Sequence, residues 1–203
     1  MIALLDTSER LEVCQEELGC EVEQLLTPLT SFTLQRPESH FAIDNGAFSR
    51  FNASAFESLL DREFTRRKQC RFVAVPDVVG SARRTREVFD HWFQFISQWP
   101  LALVAQDGQG AIEIPWKLIE AIFIGGSTEW KLGNEARQVI RAAQAVGKWV
   151  HVGRVNRPGR FEYFEALGVD SIDGTGLSRY TWMRESIYKA YHEPQLFNGA
   201  YQG

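Results

Sequence analysis

The stretch "LALVAQDG", residues 101–108, decides the fold class. Leu101 to Ala105 are apolar without interruption, and Gln106, Asp107 and Gly108 follow at once. A near-continuous apolar run of this length is typical of a parallel strand that is covered on both faces. The polar residues and the glycine behind it mark the point where the strand leaves the sheet.

The same pattern recurs along the chain and alternates with amphipathic segments. Further strand-like runs lie at 40–44, 71–77, 121–126, 148–154 and 169–173. Helix-like segments lie at 54–67, 81–99, 134–147, 159–168 and 178–191. We predict Asn134 and Ser178 as N-caps and Gly147 as the residue after a helix C-terminus. Repeated alternation of strand and helix predicts a parallel α/β fold.

Two architectures fit this order: a (β/α)8 barrel and an open, doubly wound sheet. No GxGxxG follows the first strand, which disfavours the dinucleotide-binding form of the open sheet. We favour a compact barrel that forms one domain over 1–203, although 203 residues is short for this fold. The early strands are expected to be reduced or irregular, supplied by "MIALLD" (1–6) and part of 27–35.

Composition indicates an ordinary globular protein, with 44% hydrophobic residues. No apolar run approaches the roughly 18 residues that a membrane span needs, and the first residues do not resemble a signal peptide. We therefore expect a cytoplasmic protein with no membrane partner. Cys14, Cys20 and Cys70 include no CxxC pair, so we expect three reduced, mostly buried thiols and no metal site.

The net charge of −4 argues against a strongly basic nucleic-acid-binding domain. Positive charges nevertheless cluster at 65–71, 81–86 and 153–160. Such clusters are either solvated helix faces or a local basic rim that holds phosphates, and both interpretations remain open.

Residues with chemical potential follow most of the predicted strands. They are Asp44, Asp77, Gln106 with Asp107, Gly125 with Gly126, His151 with Arg154, and Asp173. Each one alone fits a turn or a helix cap. Gathered at the carboxyl ends of parallel strands, they indicate a site, because carboxylates are costly to bring together without a use. Carboxylates without a His/Cys cluster favour acid/base and nucleophilic work on a sugar or a base.

Six short segments, in this order, resemble the tRNA-guanine transglycosylases. They are "AIDNGAF" (42–48), "VPDVVG" (75–80), "LVAQDG" (103–108), "FIGGS" (123–127), "VHVGRV" (150–155) and "GVDSIDGT" (168–175). The resemblance is closer to the DNA-modifying relatives of these enzymes, the DpdA-like enzymes that insert 7-deazaguanine bases.

The resemblance implies a TIM barrel that exchanges guanine for a 7-deazaguanine such as preQ0. It implies that Asp173 is the nucleophile, that Asp44 is the acid/base group, and that Asp77, Gln106 and Gly125 or Gly126 contact the base. No cofactor is expected beyond the incoming base. The sequence contains no match to the family's C-terminal Cys/His zinc cluster, so we expect no zinc subdomain and favour DNA over tRNA, with a helicase-like partner left open. The target base must be flipped out of the stack.

Four further residues are predicted to contact nucleic acid or phosphate: Arg154, Arg157, Lys131 and His151. The alternative for Lys131 is an ion pair with Glu129, and for His151 a hydrogen-bonded position in the core. Within 168–176, we expect Asp170 to be a surface charge and Gly174 to leave room for a sugar.

Three other functions remain open from the residues. One is a tRNA-guanine transglycosylase, and a second is a small-molecule N-glycosidase or nucleoside deoxyribosyltransferase. The third is a non-catalytic partner subunit, which the presence of both Asp44 and Asp173 disfavours.

Overall fold

The computed structural model describes residues 1–29 and 33–192, and it confirms the predicted (β/α)8 barrel. Eight parallel strands pair in chain order, and β8 pairs with β1 to close the barrel. The strands are β1 (Ile2–Leu5), β2 (Val22–Leu26), β3 (Phe41–Ile43), β4 (Cys70–Ala74), β5 (Leu101–Ala105), β6 (Ala121–Ile124), β7 (Trp149–Val152) and β8 (Ser171–Asp173).

Helices connect most of the strands, as the sequence pattern predicts. They are α1 (Leu11–Leu18), α2 (Ala53–Glu63), α3 (Ala82–Ile96), α4 (Thr128–Leu132), α5 (Asn134–Ala145), α6 (Pro158–Ala166), α7 (Thr175–Arg179) and α8 (Thr181–His192). Short 3-10 segments lie at Phe64–Gln69 and Gln109–Ala111. Within the described residues no α-helix links β2 to β3, which is the irregular early portion that the sequence predicts.

The position of the second strand is not the predicted one. It lies at 22–26, whereas 27–29 and 33–35 are not strand, and 30–32 lie outside the described residues. The sequence pattern misses β2 because it contains Glu23 and Gln24, which are nevertheless buried. Glu23 forms an ion pair with Arg71 at 2.6 Å, and the Gln24 side chain bonds backbone groups of the following loop.

Two of the predicted helix caps are wrong. Gly133 is the N-cap of α5, and Asn134 is the first helical residue. Ser178 belongs to α7, where its hydroxyl accepts a hydrogen bond from the Asp6 N–H at 3.1 Å, and the last helix begins at Thr181. Gly147 follows α5 with φ of +68°, which is the predicted left-handed conformation after a helix.

Alternation along the strands separates an inner core from an outer one. In β1, Leu4 packs inside the barrel with Phe72 and Phe123, whereas Ala3 and Leu5 join the layer between strands and helices. The amino-terminal end of the barrel is closed by the Glu23–Arg71 pair, whose guanidinium lies 4.8 Å from the centre of the Trp149 ring. This closure leaves the carboxyl ends of the strands as the end where a site can form.

The helices in residues 1–29 and 33–192 include none that is long and apolar enough to cross a membrane. The three cysteines are free thiols, as expected, with Cys14 and Cys70 buried and Cys20 partly buried.

Candidate active site

A cavity of about 440 Å³ opens at the carboxyl ends of the strands. The residues that follow all eight strands line it: Asp6 after β1, Thr27 after β2, Asp44 after β3, Asp77 after β4, Gln106 after β5, Gly125 after β6, Gly153 and Arg154 after β7, and Gly174 after β8. The volume is that of a small-molecule site. The barrel therefore brings together most of the residues that the sequence singled out.

Asp173, the last residue of β8, lies at the floor of this cavity and is only 8% exposed. Its Oδ1 accepts a hydrogen bond from the Arg154 backbone N–H at 2.8 Å, and its Oδ2 lies 3.0 Å from Nε2 of His151. Both carboxylate oxygens are thus oriented by the protein. Asp173 and Ser171 both bond His151 on the inner face of β8, whereas Val169, just before the strand, belongs to the outer core.

Arg154 adopts a left-handed backbone conformation, with φ of +62°, that is uncommon for a residue other than glycine. Its guanidinium donates to the Gly125 carbonyl at 2.8 Å and to the Gly126 carbonyl, and it lies 4.1 Å from the centre of the Phe48 ring. The strained backbone and the anchored side chain hold the Arg154 N–H on Asp173. Strain of this kind is commonly found at functional sites.

Asp44 has a different environment from Asp173. Burial and the nearby carboxylate of Asp173 raise the pKa of Asp44 to about 7, although its Oδ1 accepts a hydrogen bond from the Gly46 N–H at 2.7 Å. Asp77 and Asp6 raise this pKa further. Asp44 can therefore carry a proton near neutral pH, which is a property of a general acid.

Asp77 is held by two side-chain amides. Its Oδ1 accepts from Asn45 Nδ2 at 2.9 Å, and its Oδ2 accepts from Gln106 Nε2 at 2.6 Å. Burial raises the pKa of Asp77 in spite of these bonds. The Gln106 Oε1 accepts from the Gly80 N–H at 3.0 Å, so Gln106 mainly orients Asp77.

The two glycines after β6 do not offer free amide groups. The N–H groups of Gly125 and Gly126 both donate to the Ala105 carbonyl, at 2.9 and 3.3 Å. Gly125 lines the cavity, but Gly126 does not. Neither N–H is therefore free to donate to a base in this structure, and contact of a base with Gly125 stays a prediction. A Cβ at Gly125 would lie 2.6 Å from Val104 and 2.9 Å from Gln106, so close packing requires the glycine there.

Two predicted phosphate contacts are buried and need correction. Lys131 is 3% exposed, and its Nζ donates to the Gly153 carbonyl at 2.5 Å rather than to Glu129 or to solvent. Burial, with the positive charge of Arg154, lowers the pKa of Lys131 to about 8. His151 is fully buried inside the barrel, where the hydrogen-bonded core position was the alternative. Neither residue can touch a phosphate from these positions.

The basic clusters are distributed around both ends of the barrel. Residues 65–69 precede β4 and so lie at its amino-terminal end, away from the cavity. In α3, Arg83 and Arg86 pair with Glu87 and Asp90 on their own helix. Only the third cluster contributes to the cavity, through Arg154, whereas Arg157 is exposed and does not line it.

The lining residues that the sequence analysis did not single out include Asp6, Asn45, Phe48 and Arg179. Asp6 follows an apolar run, so the criterion that found the other carboxylates would also have found it. Arg179 and Phe48 come from segments beyond the strand ends, and nothing in their local sequence marks them. Gly174 also lines the cavity, but a Cβ there would lie 2.4 Å from Asn156 Oδ1 and 2.7 Å from the Val155 carbonyl. Close packing of the β7–α6 loop requires this glycine, whereas room for a sugar was the predicted reason.

Four aspartates and two arginines line one cavity: Asp6, Asp44, Asp77, Asp173, Arg154 and Arg179. Among residues 1–29 and 33–192, no group of three or more His, Cys, Asp and Glu side chains has the arrangement of a metal site. The fold and the site together define a (β/α)8 barrel with a carboxylate-rich cavity at its carboxyl end.

Comparison of the sequence with protein-family models and with curated proteins finds no match. Three solved structures with a similar chain path share 12–14% sequence identity with this chain. Phosphoribosyl anthranilate isomerase from Thermus thermophilus aligns with 92% of this chain and 96% of its own, with 13% identity and a TM-score of 0.45. A native KDPGal structure aligns with 95% and 94%, with 12% identity and a TM-score of 0.37. A designed cube-shaped porous protein cage, built by fusing symmetric oligomeric domains, aligns with 95% and 72%, with 14% identity and a TM-score of 0.42.

Proposed function

We propose that the protein is a glycosyltransferase that exchanges guanine in DNA for a 7-deazaguanine base such as preQ0. One observation carries the proposal: a single cavity holds two aspartates that lie in different environments. Asp173 is oriented by two hydrogen-bonding partners, whereas burial and neighbouring carboxylates raise the pKa of Asp44 to about 7. Two carboxyl groups that differ in this way can divide nucleophilic and acid/base roles.

The reaction would proceed in two balanced displacements. An oxygen of Asp173 bonds to C1′ of the target nucleoside, the C1′–N9 bond breaks, and its electron pair leaves with the guanine. Protonated Asp44 gives its proton to the departing base. The incoming base then returns a proton to Asp44, its ring nitrogen bonds to C1′, and the ester electron pair returns to Asp173. Both aspartates finish in their starting states.

Asp77 is the residue best placed to recognise the base. Each of its oxygens accepts one bond from Asn45 or Gln106, which leaves lone pairs for a ring N–H and an exocyclic amine. The raised pKa of Asp77 also fits a group that would be fully engaged only when a base is bound.

The rim of the cavity supports a polymer substrate. Phe48 is 64% exposed beneath the Arg154 guanidinium, and Leu29 and Val79 are exposed beside the same cavity. Aromatic and apolar rims can stack on bases that flank a flipped nucleotide, and arginine can contact its phosphate.

The charge of the cavity favours a second candidate, a nucleoside deoxyribosyltransferase or N-glycosidase that acts on free nucleosides. Four carboxyl groups against two guanidinium groups repel a chain of phosphates, and the net charge of the protein is −4. The same two aspartates would perform the chemistry on a free nucleoside.

One experiment separates these functions. Purified protein is incubated with preQ0 and, separately, with DNA, tRNA or free deoxyguanosine, and the nucleosides are quantified by mass spectrometry. We expect the 7-deazaguanine nucleoside in the DNA digest. Exchange with free deoxyguanosine alone would support the second candidate, exchange in tRNA alone would move the substrate to RNA, and no exchange in any sample would refute the proposal.

A matched pair of variants tests the nucleophile within the same motif. Asp173→Asn is expected to abolish exchange, because the amide cannot form the ester. Asp170→Asn should retain it, because Asp170 precedes β8 at the end opposite Asp173 and its carboxylate accepts from the Val150 N–H at 2.7 Å. Equal activity of the two variants would exclude Asp173 as nucleophile.

The raised pKa of Asp44 predicts a pH dependence of guanine release. Release needs Asp44 protonated, so the single-turnover rate should fall as the pH rises above about 7. Stopped reactions with DNA between pH 6 and 9 measure this, since the range brackets about 7. A rate that stays constant across that range would exclude Asp44 as the acid.

A further inference from the structure

A chain of three hydrogen-bonding side chains, Trp149, Ser171 and His151, continues beneath Asp173 into the barrel. Trp149 Nε1 lies 2.8 Å from Ser171 Oγ, Ser171 Oγ lies 2.9 Å from His151 Nδ1, and His151 Nε2 lies 3.0 Å from Asp173 Oδ2. Ser171 and His151 are fully buried. Trp149 is partly buried, but the polar atoms of Ser171 and His151 must find their partners within the protein.

Trp149 fixes the direction of these hydrogen bonds. An indole N–H can only donate, so Ser171 Oγ accepts from it. The serine has one hydroxyl proton, and His151 Nδ1 is its remaining partner. If Nδ1 also carried a proton, that hydroxyl proton would be buried without an acceptor, which is costly. Nδ1 is therefore the acceptor, and the ring proton lies on Nε2, directed at Asp173.

The surroundings of His151 hold the ring in this orientation. The ring centres of Phe72 and Phe123 lie 5.0 and 4.5 Å from that of the imidazole. Phe123 also lines the cavity, whereas His151 does not, so His151 acts on a substrate only through Asp173.

We propose that His151 is a positioning residue, held as the neutral Nε2–H tautomer, which donates to Asp173 and fixes it as an oriented carboxylate. The catalytic effect of His151 rests on the proposed function, but the assignment of its tautomer does not. With the Arg154 N–H on the other oxygen, the nucleophile is fixed from two sides and cannot rotate away from C1′. His151 neither abstracts nor delivers a proton during the reaction, unlike the histidine of a serine hydrolase triad.

The tautomer is measured directly on the wild-type protein, with no substrate. Protein labelled with ¹⁵N at histidine is studied by long-range ¹H–¹⁵N correlation at neutral pH, and the loss of signals in His151→Phe assigns the ring among the four histidines of the sequence. We expect a protonated Nε2 and an unprotonated Nδ1. A proton on Nδ1, alone or together with one on Nε2, would overturn the proposal even if no activity had been found.

Kinetics test the positioning role separately. His151→Phe keeps an aromatic ring between Phe72 and Phe123 but removes the donor to Asp173, so kcat for exchange should fall between about 10- and 100-fold with KM unchanged. Val150→Ala is the control, because Val150 lies on the same strand but packs in the outer core. This substitution perturbs packing without removing a side chain of the Trp149–Ser171–His151 hydrogen-bond chain. A similar fall in kcat for both variants, or an unchanged kcat in His151→Phe, would contradict the role.

Discussion

Asp44 and Asp173 line one cavity but differ in their hydrogen-bond partners and in the charges near them. Asp173 has a partner for each oxygen, whereas the Asp44 carboxyl accepts from the Gly46 N–H and lies near three carboxyl groups that disfavour its charge. Unfavourable grouping of like charges is a feature that folding alone does not require. The cost to stability should therefore be measurable at Asp44.

Substitution of Asp44 should stabilise the protein in a pH-dependent way. The folded-state pKa of Asp44 is about 7, against an unfolded value of about 3.9, so the folded state binds the extra proton between these values. The free energy of unfolding therefore falls as the pH rises from about 4 to about 7, and the full penalty is present above about 7. Asp44→Asn removes that penalty and keeps the acceptor for the Gly46 N–H.

We expect the Tm of Asp44→Asn to exceed that of the wild type at pH 8, with a smaller difference at pH 5. Thermal unfolding of both proteins at these two pH values gives the comparison, and Asp61→Asn on the exposed face of α2 is the control. A difference of the same size at both pH values would show that Asp44 is charged at both.

Site carboxylates could be predicted from the sequence where they follow a strong apolar run. Asp44, Asp77 and Asp173 follow strong apolar runs, and the structure places all three in one cavity. Lys131 could not be assigned correctly, because its local sequence gives no sign that Nζ turns inward to the Gly153 carbonyl. The left-handed conformation of Arg154 is likewise set by tertiary contacts and not by its residue type.

At the scale of elements, the loops after the strands position the site, and Gly174 is a critical point in them. A Cβ at Gly174 would lie 2.7 Å from the Val155 carbonyl, which cannot move without shifting Val155, whose N–H bonds the Asp173 carbonyl at 2.6 Å. Gly174→Ala should therefore destabilise the protein by about 1–3 kcal/mol.

Gly159→Ala is the matched control for that substitution. A Cβ at Gly159, within α6, meets no atom within 4 Å, so alanine should be neutral or slightly stabilising through its helix propensity. Urea unfolding of both variants measures the difference. Equal stabilities would mean that the loop adapts to a side chain at 174.

Arg184 joins the last helix to the first. It is fully buried in α8, and its guanidinium forms ion pairs with Glu17 of α1 and with Glu9, each at 2.5 Å, and donates to the Leu177 carbonyl at 2.7 Å. Arg184→Met keeps the apolar stem but leaves both carboxylates without their partner. Removing one partner of a buried ion pair lowers the free energy of unfolding by several kcal/mol. Because Glu9 is partly exposed, we expect a loss at the lower end of that range, about 3 kcal/mol.

Arg83→Met is the control for Arg184, since Arg83 is 82% exposed and pairs only with Glu87 on its own helix. Its loss should cost less than about 0.5 kcal/mol. Chemical unfolding of the two variants measures the loss in free energy of unfolding for each. Similar losses would contradict a stabilising role for the buried Arg184 ion pairs.

Elements with a clear apolar pattern could be predicted, and those with buried polar residues could not. The strands from β3 to β8 follow such runs, but β2 carries Glu23 and Gln24, whose burial depends on partners far along the chain, such as Arg71. Helix α1 was not predicted, because its short segment "LEVCQEEL" carries only a limited apolar face.

At the scale of the whole molecule, the two ends of the barrel differ: one is closed and the other carries the cavity. The amino-terminal end is closed by the paired Glu23 and Arg71 against Trp149, and it contributes stability. The carboxyl end gathers four aspartates around the cavity. The Trp149–Ser171–His151 chain runs between the two ends through the interior and reaches Asp173.

The central claim is that Asp173 forms a covalent bond to the sugar, and it can be tested on the protein itself. The protein is incubated with guanine-containing DNA in the absence of an incoming base, denatured in acid, and digested with nuclease and trypsin. The tryptic peptide 161–179 contains both Asp170 and Asp173, and fragment ions distinguish the two. We predict a deoxyribosyl adduct on Asp173 that is absent from Asp173→Asn. An adduct on Asp170, or a preparation that exchanges guanine while Asp173 remains unmodified, would contradict the account.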